Sequence, residues 1–175
     1  PIQISTVPDI SQLITGQADV AQIEAIDISD LLGRDMVPPD TNLLRHSIEQ
    51  KSVLVTGAGG TIGSELCRKI LQAKPKRLIL FDNSEFALYA LEQHLLENEL
   101  QVELVCLLGS VLDQAYLARI METFSVNTVY HAAAYKHVPI VEQNLVEGIQ
   151  NNVFGTKVLL EAAIDAEVEN FTLIS

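Results

Sequence analysis

Val53-Leu54-Val55-Thr56-Gly57-Ala58-Gly59-Gly60-Thr61-Ile62-Gly63-Ser64-Glu65 is the stretch that decides the fold. It opens on a nearly continuous apolar run, as a strand buried on both faces requires. Gly57 follows at once, then Gly60 and Gly63, and a helix-period pattern takes over. A phosphate is held at close range by backbone N–H groups, and side chains at the turn would block that approach. Gly57 permits a tight turn off the strand, Gly60 lets the backbone come near the anion, and Gly63 lets helix and strand pack closely. The helix N-terminus adds a favourable dipole. Glycine triplets alone are weak signals; a strand before and a helix after give this one its weight.

Outward from the loop, short apolar runs alternate with helix-period segments. Strands are predicted at Ser52–Thr56, Arg77–Phe81, Val102–Leu107, Thr128–His131 and Asn170–Ile174. Helices are predicted near Thr61–Ala73, Ser84–Asn98, Asp113–Phe124 and Gln143–Ala166. That alternation argues an α/β fold, a Rossmann-like doubly wound parallel sheet of order 3-2-1-4-5, incomplete at its C-terminus. The ligand is expected at the carboxyl edge, where the strand order reverses.

The second strand ends Leu80-Phe81-Asp82, and Asp82 is placed to accept both ribose hydroxyls of an adenosine. It can also cap the helix that follows, and the two roles are compatible. With no Arg or Lys directly after it to hold a 2′-phosphate, the favoured cofactor is NAD. After the third strand come Gly109-Ser110-Val111-Leu112-Asp113, where Ser110 and Val111 are candidates to flank adenine and Asp113 to cap the next helix. The fourth strand runs into His131-Ala132-Ala133-Ala134-Tyr135-Lys136-His137-Val138-Pro139. Its alanines, Ala132 and Ala133 foremost, remove bulk where ribose and nicotinamide would pass. Lys136 and His137 bring polar groups to the same edge, as substrate contacts or as solvated side chains. His131 is read as a packed residue, and Asn152 as one that bonds locally to backbone.

The totals narrow the function classes. The chain has 175 residues, 11 Lys plus Arg against 23 Asp plus Glu, and a formal net charge of -12. Such a field does not attract nucleic acid or anionic membrane. Cys67 and Cys106 lie far apart in apolar stretches, which predicts buried reduced thiols, no metal site and a reducing, cytoplasmic compartment. No apolar run approaches the ~20 residues of a membrane span. The opening Pro1-Ile2-Gln3 carries no initiator Met and no signal pattern, as expected of an excised piece. Residues 1–50 differ from the rest: Pro8, Gly16, Gly33 and Pro38-Pro39 punctuate short helical candidates at Asp9–Thr15 and Ile28–Leu32. They read as a connector from an upstream region, ahead of a nucleotide-binding half-domain at 51–175.

Taken together, Val53–Glu65, His131–Pro139, Glu142 and Asn152–Thr156 resemble the extended short-chain dehydrogenase/reductases. Within them the chain is similar to the polysaccharide-biosynthesis branch, the UDP-N-acetylglucosamine 4,6-dehydratases. Asp30-Leu31-Leu32-Gly33-Arg34 and Val37-Pro38-Pro39 are similar to the connector of its long, membrane-anchored members, which implies an inner-membrane anchor upstream. The resemblance implies that NAD takes hydride from sugar C4, that water leaves across C5 and C6, and that hydride returns to C6. The product is a UDP-4-keto-6-deoxy sugar for surface glycans. Carried over by position, Gly57, Gly59, Gly60, Thr61 and Ile62 hold pyrophosphate, and Asp82 holds ribose. Ser110 and Val111 flank adenine, with Ser110 standing where many relatives have Asp. Ala132, Ala133 and Lys136 line the nicotinamide side. The expected partners are a UDP-sugar and further copies of the same protein. The family's catalytic cluster is expected after Ser175, since Tyr89, Tyr116, Tyr130 and Tyr135 are followed four residues later by Gln93, Ile120, Ala134 and Pro139, never by Lys. A nucleotide-sugar epimerase and a non-catalytic NAD-sensing module are the alternatives.

Overall fold

In a computed structural model describing residues 5–6, 24–25, 41–96 and 102–174, the buried apolar runs pair into one parallel sheet. Two compact units divide the chain, Pro1–Pro39 and Asp40–Ser175. In the first, β1 (Ser5–Thr6) pairs antiparallel with β2 (Glu24–Ala25). The helical candidates Asp9–Thr15 and Ile28–Leu32 lie outside the described residues.

The second unit begins with α1 (Thr41–Ile48), a helix within the stretch expected to be connector. There follow β3 (Ser52–Thr56), α2 (Thr61–Gln72), β4 (Arg77–Asp82), α3 (Glu85–Leu96), β5 (Glu103–Leu108) and α4 (Gln114–Phe124). The chain continues through β6 (Thr128–His131), α5 (Val138–Gln143), α6 (Leu145–Ile149), a π-helical segment Gln150–Gly155, α7 (Thr156–Asp165) and β7 (Asn170–Leu173). The strand order β5-β4-β3-β6-β7 is the expected 3-2-1-4-5 arrangement of a Rossmann fold, parallel throughout. At the carboxyl end of β3, Thr56 stands opposite Phe81 of β4 and His131 of β6.

Alternation along the central strand builds a core on each face. Val53 and Val55, with Leu78 and Leu80, pack against Ile48, Cys67, Ile70, Leu88 and Leu91 from α1 to α3. Leu54, with Ile79 and Phe81, packs against Leu117, Ile120, Met121 and Leu159 from α4 and α7. Each such side chain contributes about 1.5–3 kcal/mol of burial, so the sheet is held from both sides and the site at its edge rests on a stiff floor. Ile48 is part of this core, which is why α1 travels with the sheet.

The helices end where local chemistry stops them. Asp113 caps α4, its Oδ1 accepting from the Tyr116 N–H at 2.9 Å. Ser125 closes that helix in the left-handed region at φ 47°. The single helix expected over Gln143–Ala166 is instead broken. Asn144 leaves helical geometry at φ −131°, and its Nδ2 donates back to the Ile140 carbonyl at 2.9 Å. The π-helical turn then widens the backbone around Asn151 and Asn152, and such turns collect at functional sites.

Candidate functional site

Two adjoining cavities open at the carboxyl edge of β3, β4 and β6. The first, of about 280 Å³, is floored by Gly57, Gly59 and Gly60. Asp82 and Ala87 bound it on one side, Gly109 and Val111 on a second, and Ala132, Ala133 and Tyr135 on a third. The second, of about 430 Å³, continues past Gly60 along Thr61, Ile62 and Gly63 to Lys136, Asn152 and Thr156.

The loop's shape follows from its glycines. Gly57 sits at φ +69°, and a Cβ there would lie 2.5 Å from the Ala132 carbonyl oxygen. A Cβ on Gly63 would lie 2.0 Å from the Gly57 carbonyl oxygen, so α2 can start this close to the strand only without a side chain. The first intrahelical bond runs from Ser64 N–H to the Gly60 carbonyl. The N–H groups of Thr61, Ile62 and Gly63 therefore have no intrahelical acceptor. Gly60, at the N-cap, has no side chain to offer them. They stand at the wall of the second cavity, a cradle suited to an anion.

Asp82 ties this loop to its neighbour. One carboxylate oxygen accepts from the Gly59 N–H at 2.9 Å and the other from the Ser84 N–H at 2.9 Å. A carboxylate offers about four acceptor positions, so two remain for hydroxyls entering the first cavity. Capping of α3 falls to Ser84, whose hydroxyl accepts from the Ala87 N–H at 3.3 Å.

His131 lies beneath the floor, 1% exposed. Its Nδ1 is 2.7 Å from the Thr56 hydroxyl and its Nε2 is 2.9 Å from the Thr156 hydroxyl. Because the Thr156 hydroxyl donates to the Asn152 carbonyl at 2.7 Å, it accepts from His131. The proton therefore sits on Nε2, and Nδ1 accepts from Thr56. Burial holds this imidazole neutral and lowers its pKa to about 4. The packing role expected of His131 is thus joined by a buried hydrogen-bond chain.

Asn152 bonds to backbone as expected, but to backbone far away. Its Oδ1 accepts from the Tyr135 N–H at 2.8 Å and its Nδ2 donates to the Tyr135 carbonyl at 2.9 Å. Asn151 donates to the Ala133 carbonyl at 2.7 Å. The π-helical turn places both carboxamides against the loop after β6.

The structure brings Gly57, Gly59, Gly60, Asp82, Val111, Ala132 and Ala133 to the first cavity, and Thr61, Ile62, Gly63 and Lys136 to the second. Ser110 and His137 line neither. The Ser110 hydroxyl accepts from the Leu112 N–H at 3.2 Å, and His137 heads α5 with its carbonyl accepting from Ile140 and Val141. Asn83, Tyr135 and Asn151 also line the first cavity, beyond the residues the sequence pattern points to. An adjacent asparagine pair inside an otherwise apolar helical pattern was the available signal for the last. Cys67 is buried and Cys106 half-buried. Burial pushes both thiols up to about 12, with Glu92 also raising Cys106. Among the described residues, no group of three or more His, Cys, Asp or Glu could hold a metal, and no helix is long and apolar enough to cross a membrane.

Residues 53–175, from the glycine loop to the chain's last residue, match the family model described as polysaccharide biosynthesis protein. The chain belongs to the polysaccharide biosynthesis protein family. It is 37% identical over 175 residues to the capsular polysaccharide biosynthesis protein CapD of Staphylococcus aureus, spanning 99% of this chain and 29% of the relative. It is 29% identical over 126 residues to a UDP-N-acetylglucosamine 4,6-dehydratase (inverting) of Campylobacter jejuni, covering 71% of this chain and 36% of that one. Among solved structures, DesIV, a dTDP-glucose 4,6-dehydratase of Streptomyces venezuelae with NAD bound, superposes with a TM-score of 0.60 at 28% identity. That match covers 69% of this chain and 38% of DesIV. The sheet is the one these short-chain dehydrogenase/reductase relatives share, and the chain spans about a third of their length.

Proposed function

We propose that this chain is the NAD-binding part of a nucleotide-sugar 4,6-dehydratase acting on UDP-N-acetylglucosamine in surface polysaccharide synthesis. The observation that carries the reading is the paired cavity at the sheet's carboxyl edge, with open helix N–H groups along one wall and the Asp82 carboxylate at one end. The names of its relatives support the reaction class.

In this reading the N–H groups of Thr61, Ile62 and Gly63 receive the pyrophosphate, and the free positions of Asp82 accept the ribose hydroxyls. Gly109 and Val111 border the adenine, with Ser110 behind them shaping the turn. Ala132 and Ala133 leave room for the second ribose. Lys136 stands in the second cavity beside the sugar, and His137, next in the chain at the head of α5, is proposed as a further substrate contact. NAD, when bound, supplies an acceptor that takes up a hydride and gives it back, which a redox-neutral dehydration needs. General acid–base groups must stand within about 3 Å of the protons they move. No tyrosine among the 175 residues has a lysine four positions on, so the proposed catalytic cluster follows Ser175. The stretch ahead of α1 serves as the connector from an upstream region, and the parent is membrane-anchored on its cytoplasmic side. Exposed Val138, Ile140, Leu145 and Val146 on α5 and α6 support a homo-oligomer.

The test is to incubate the complete protein with UDP-N-acetylglucosamine and NAD and to follow the 4-keto product. A 4-keto-6-deoxy sugar is expected; an epimerised sugar or no turnover overturns the reading. The 175-residue chain assayed alone is expected to be inactive.

A further inference from the structure

The two cavities meet at a narrow crossing. Only Gly60, Ala132, Ala134 and Tyr135 line both. Three of these carry a methyl or nothing, so Tyr135 alone has reach. Its backbone is pinned on both sides by the Asn152 carboxamide. Its phenol donates to Glu147 Oε1 of α6 at 3.3 Å and lies within reach of the Asn83 carboxamide at the end of β4. Asn83 borders the first cavity beside Asp82. The side chain thus starts in the loop after β6 and points to groups on α6 and at the end of β4, with 41% of its surface left in water.

We propose that Tyr135 is a strap across the dinucleotide groove, closing over the bound cofactor where it passes from the adenosine cavity to the second cavity and slowing its release. This inference rests on the NAD-binding reading above. A dinucleotide laid along the sheet edge has to pass the crossing that Tyr135 covers. The ring must therefore swing aside for entry and return afterwards, re-forming its bond to Glu147. The hinge is supplied by the side-chain torsions alone, because Asn152 holds the backbone in place. Glu147 is exposed, so the bond is weak enough to open and too weak to seal the groove against the cofactor.

The test is the dissociation rate of NADH from the complete protein, read by the loss of protein-bound NADH fluorescence on dilution into excess NAD. Tyr135→Phe keeps the ring and removes the bond to Glu147. Release is expected to quicken about fivefold, the worth of one ordinary hydrogen bond. Glu147→Gln, which keeps an acceptor for the phenol, is expected to stay within about twofold of the natural protein by the same measure. Unchanged release in Tyr135→Phe, or a faster association with unchanged release, overturns the strap. A natural protein that binds no dinucleotide overturns instead the NAD-binding reading on which the strap rests.

Discussion

The Gly59 N–H donates to the Asp82 carboxylate at 2.9 Å, joining the glycine loop after β3 to the end of β4 across the floor of the groove. One residue therefore shapes the loop and presents a charge to whatever enters. A 2′-phosphate brought to this point would meet an anion already held by two backbone donors.

Asp82→Ala is expected to weaken NAD by about 1–3 kcal/mol, the scale of lost charge-assisted hydrogen bonds. NADP should lose less, since it also escapes a repulsion, and the ratio of the two affinities should fall. Titration of both dinucleotides against the complete protein measures this. Equal losses for the two would mean that Asp82 acts only through the loop.

The glycines separate into those that shape the protein and one that faces the ligand. Gly63→Ala sets a methyl 2.0 Å from the Gly57 carbonyl oxygen, and backbone on both sides cannot yield. A loss of about 1–3 kcal/mol of stability is expected, as in other overpacked sites. At Gly60 the nearest atom is the same oxygen at 3.3 Å, so Gly60→Ala should fold nearly as well. Its methyl enters the wall shared by both cavities, and dinucleotide binding should suffer. Denaturant midpoints alongside NAD titrations distinguish the two; similar stability losses would contradict the assignment.

Burial of His131 makes stability depend on pH in a stated direction. Its folded pKa of about 4 lies below the ordinary 6.5, so protonation favours the unfolded chain. Above the ordinary value both states are neutral and its contribution is complete. As pH falls from there to about 4, the unfolded chain gains a proton that the folded one refuses, and stability drops; below that both are protonated and the loss levels off. Between about pH 7 and pH 5 this one group should cost about 2 kcal/mol. Urea unfolding at the two values should show the drop, and His131→Gln should flatten it while lowering stability at neutral pH. An equal slope in the variant would assign the dependence to other groups.

Much of this was legible in the order of residues. Apolar runs at Ser52–Thr56 and Thr128–His131 matched the strands to the residue, because strands buried on both faces leave no polar alternation to blur their ends. The glycine loop and Asp82 were legible because backbone approach to an anion restricts residue type. The π-helical turn at Gln150–Gly155 was not, because helix period survives such a turn and the reason for it lies seventeen residues before Asn152, at Tyr135. Helix α1 was hidden for a related reason: Ile48 finds its core partners on the sheet, not in its own segment.

The last expectation concerns Asn152, whose carboxamide satisfies both backbone groups of Tyr135. Asn152→Ala leaves an N–H and a carbonyl without partners at the edge of the second cavity, at a cost of about 1–3 kcal/mol for each group kept from water. The site is partly open, so water can replace some of what is lost and the fold should survive. What should change is the position of Tyr135 and of Lys136, the next residue, which lines the same cavity. Lys136→Ala removes a side chain and leaves the loop in place, so in the complete protein it should lower turnover with little effect on NAD affinity. Asn152→Ala displaces the loop and should weaken NAD binding as well. Asn152→Asp keeps the acceptor for the Tyr135 N–H and loses the donor to its carbonyl, so its NAD affinity should fall between the other two. Steady-state turnover and dinucleotide titration on the three variants check the order. If Asn152→Ala binds NAD as tightly as Lys136→Ala does, the clasp does not position the groove.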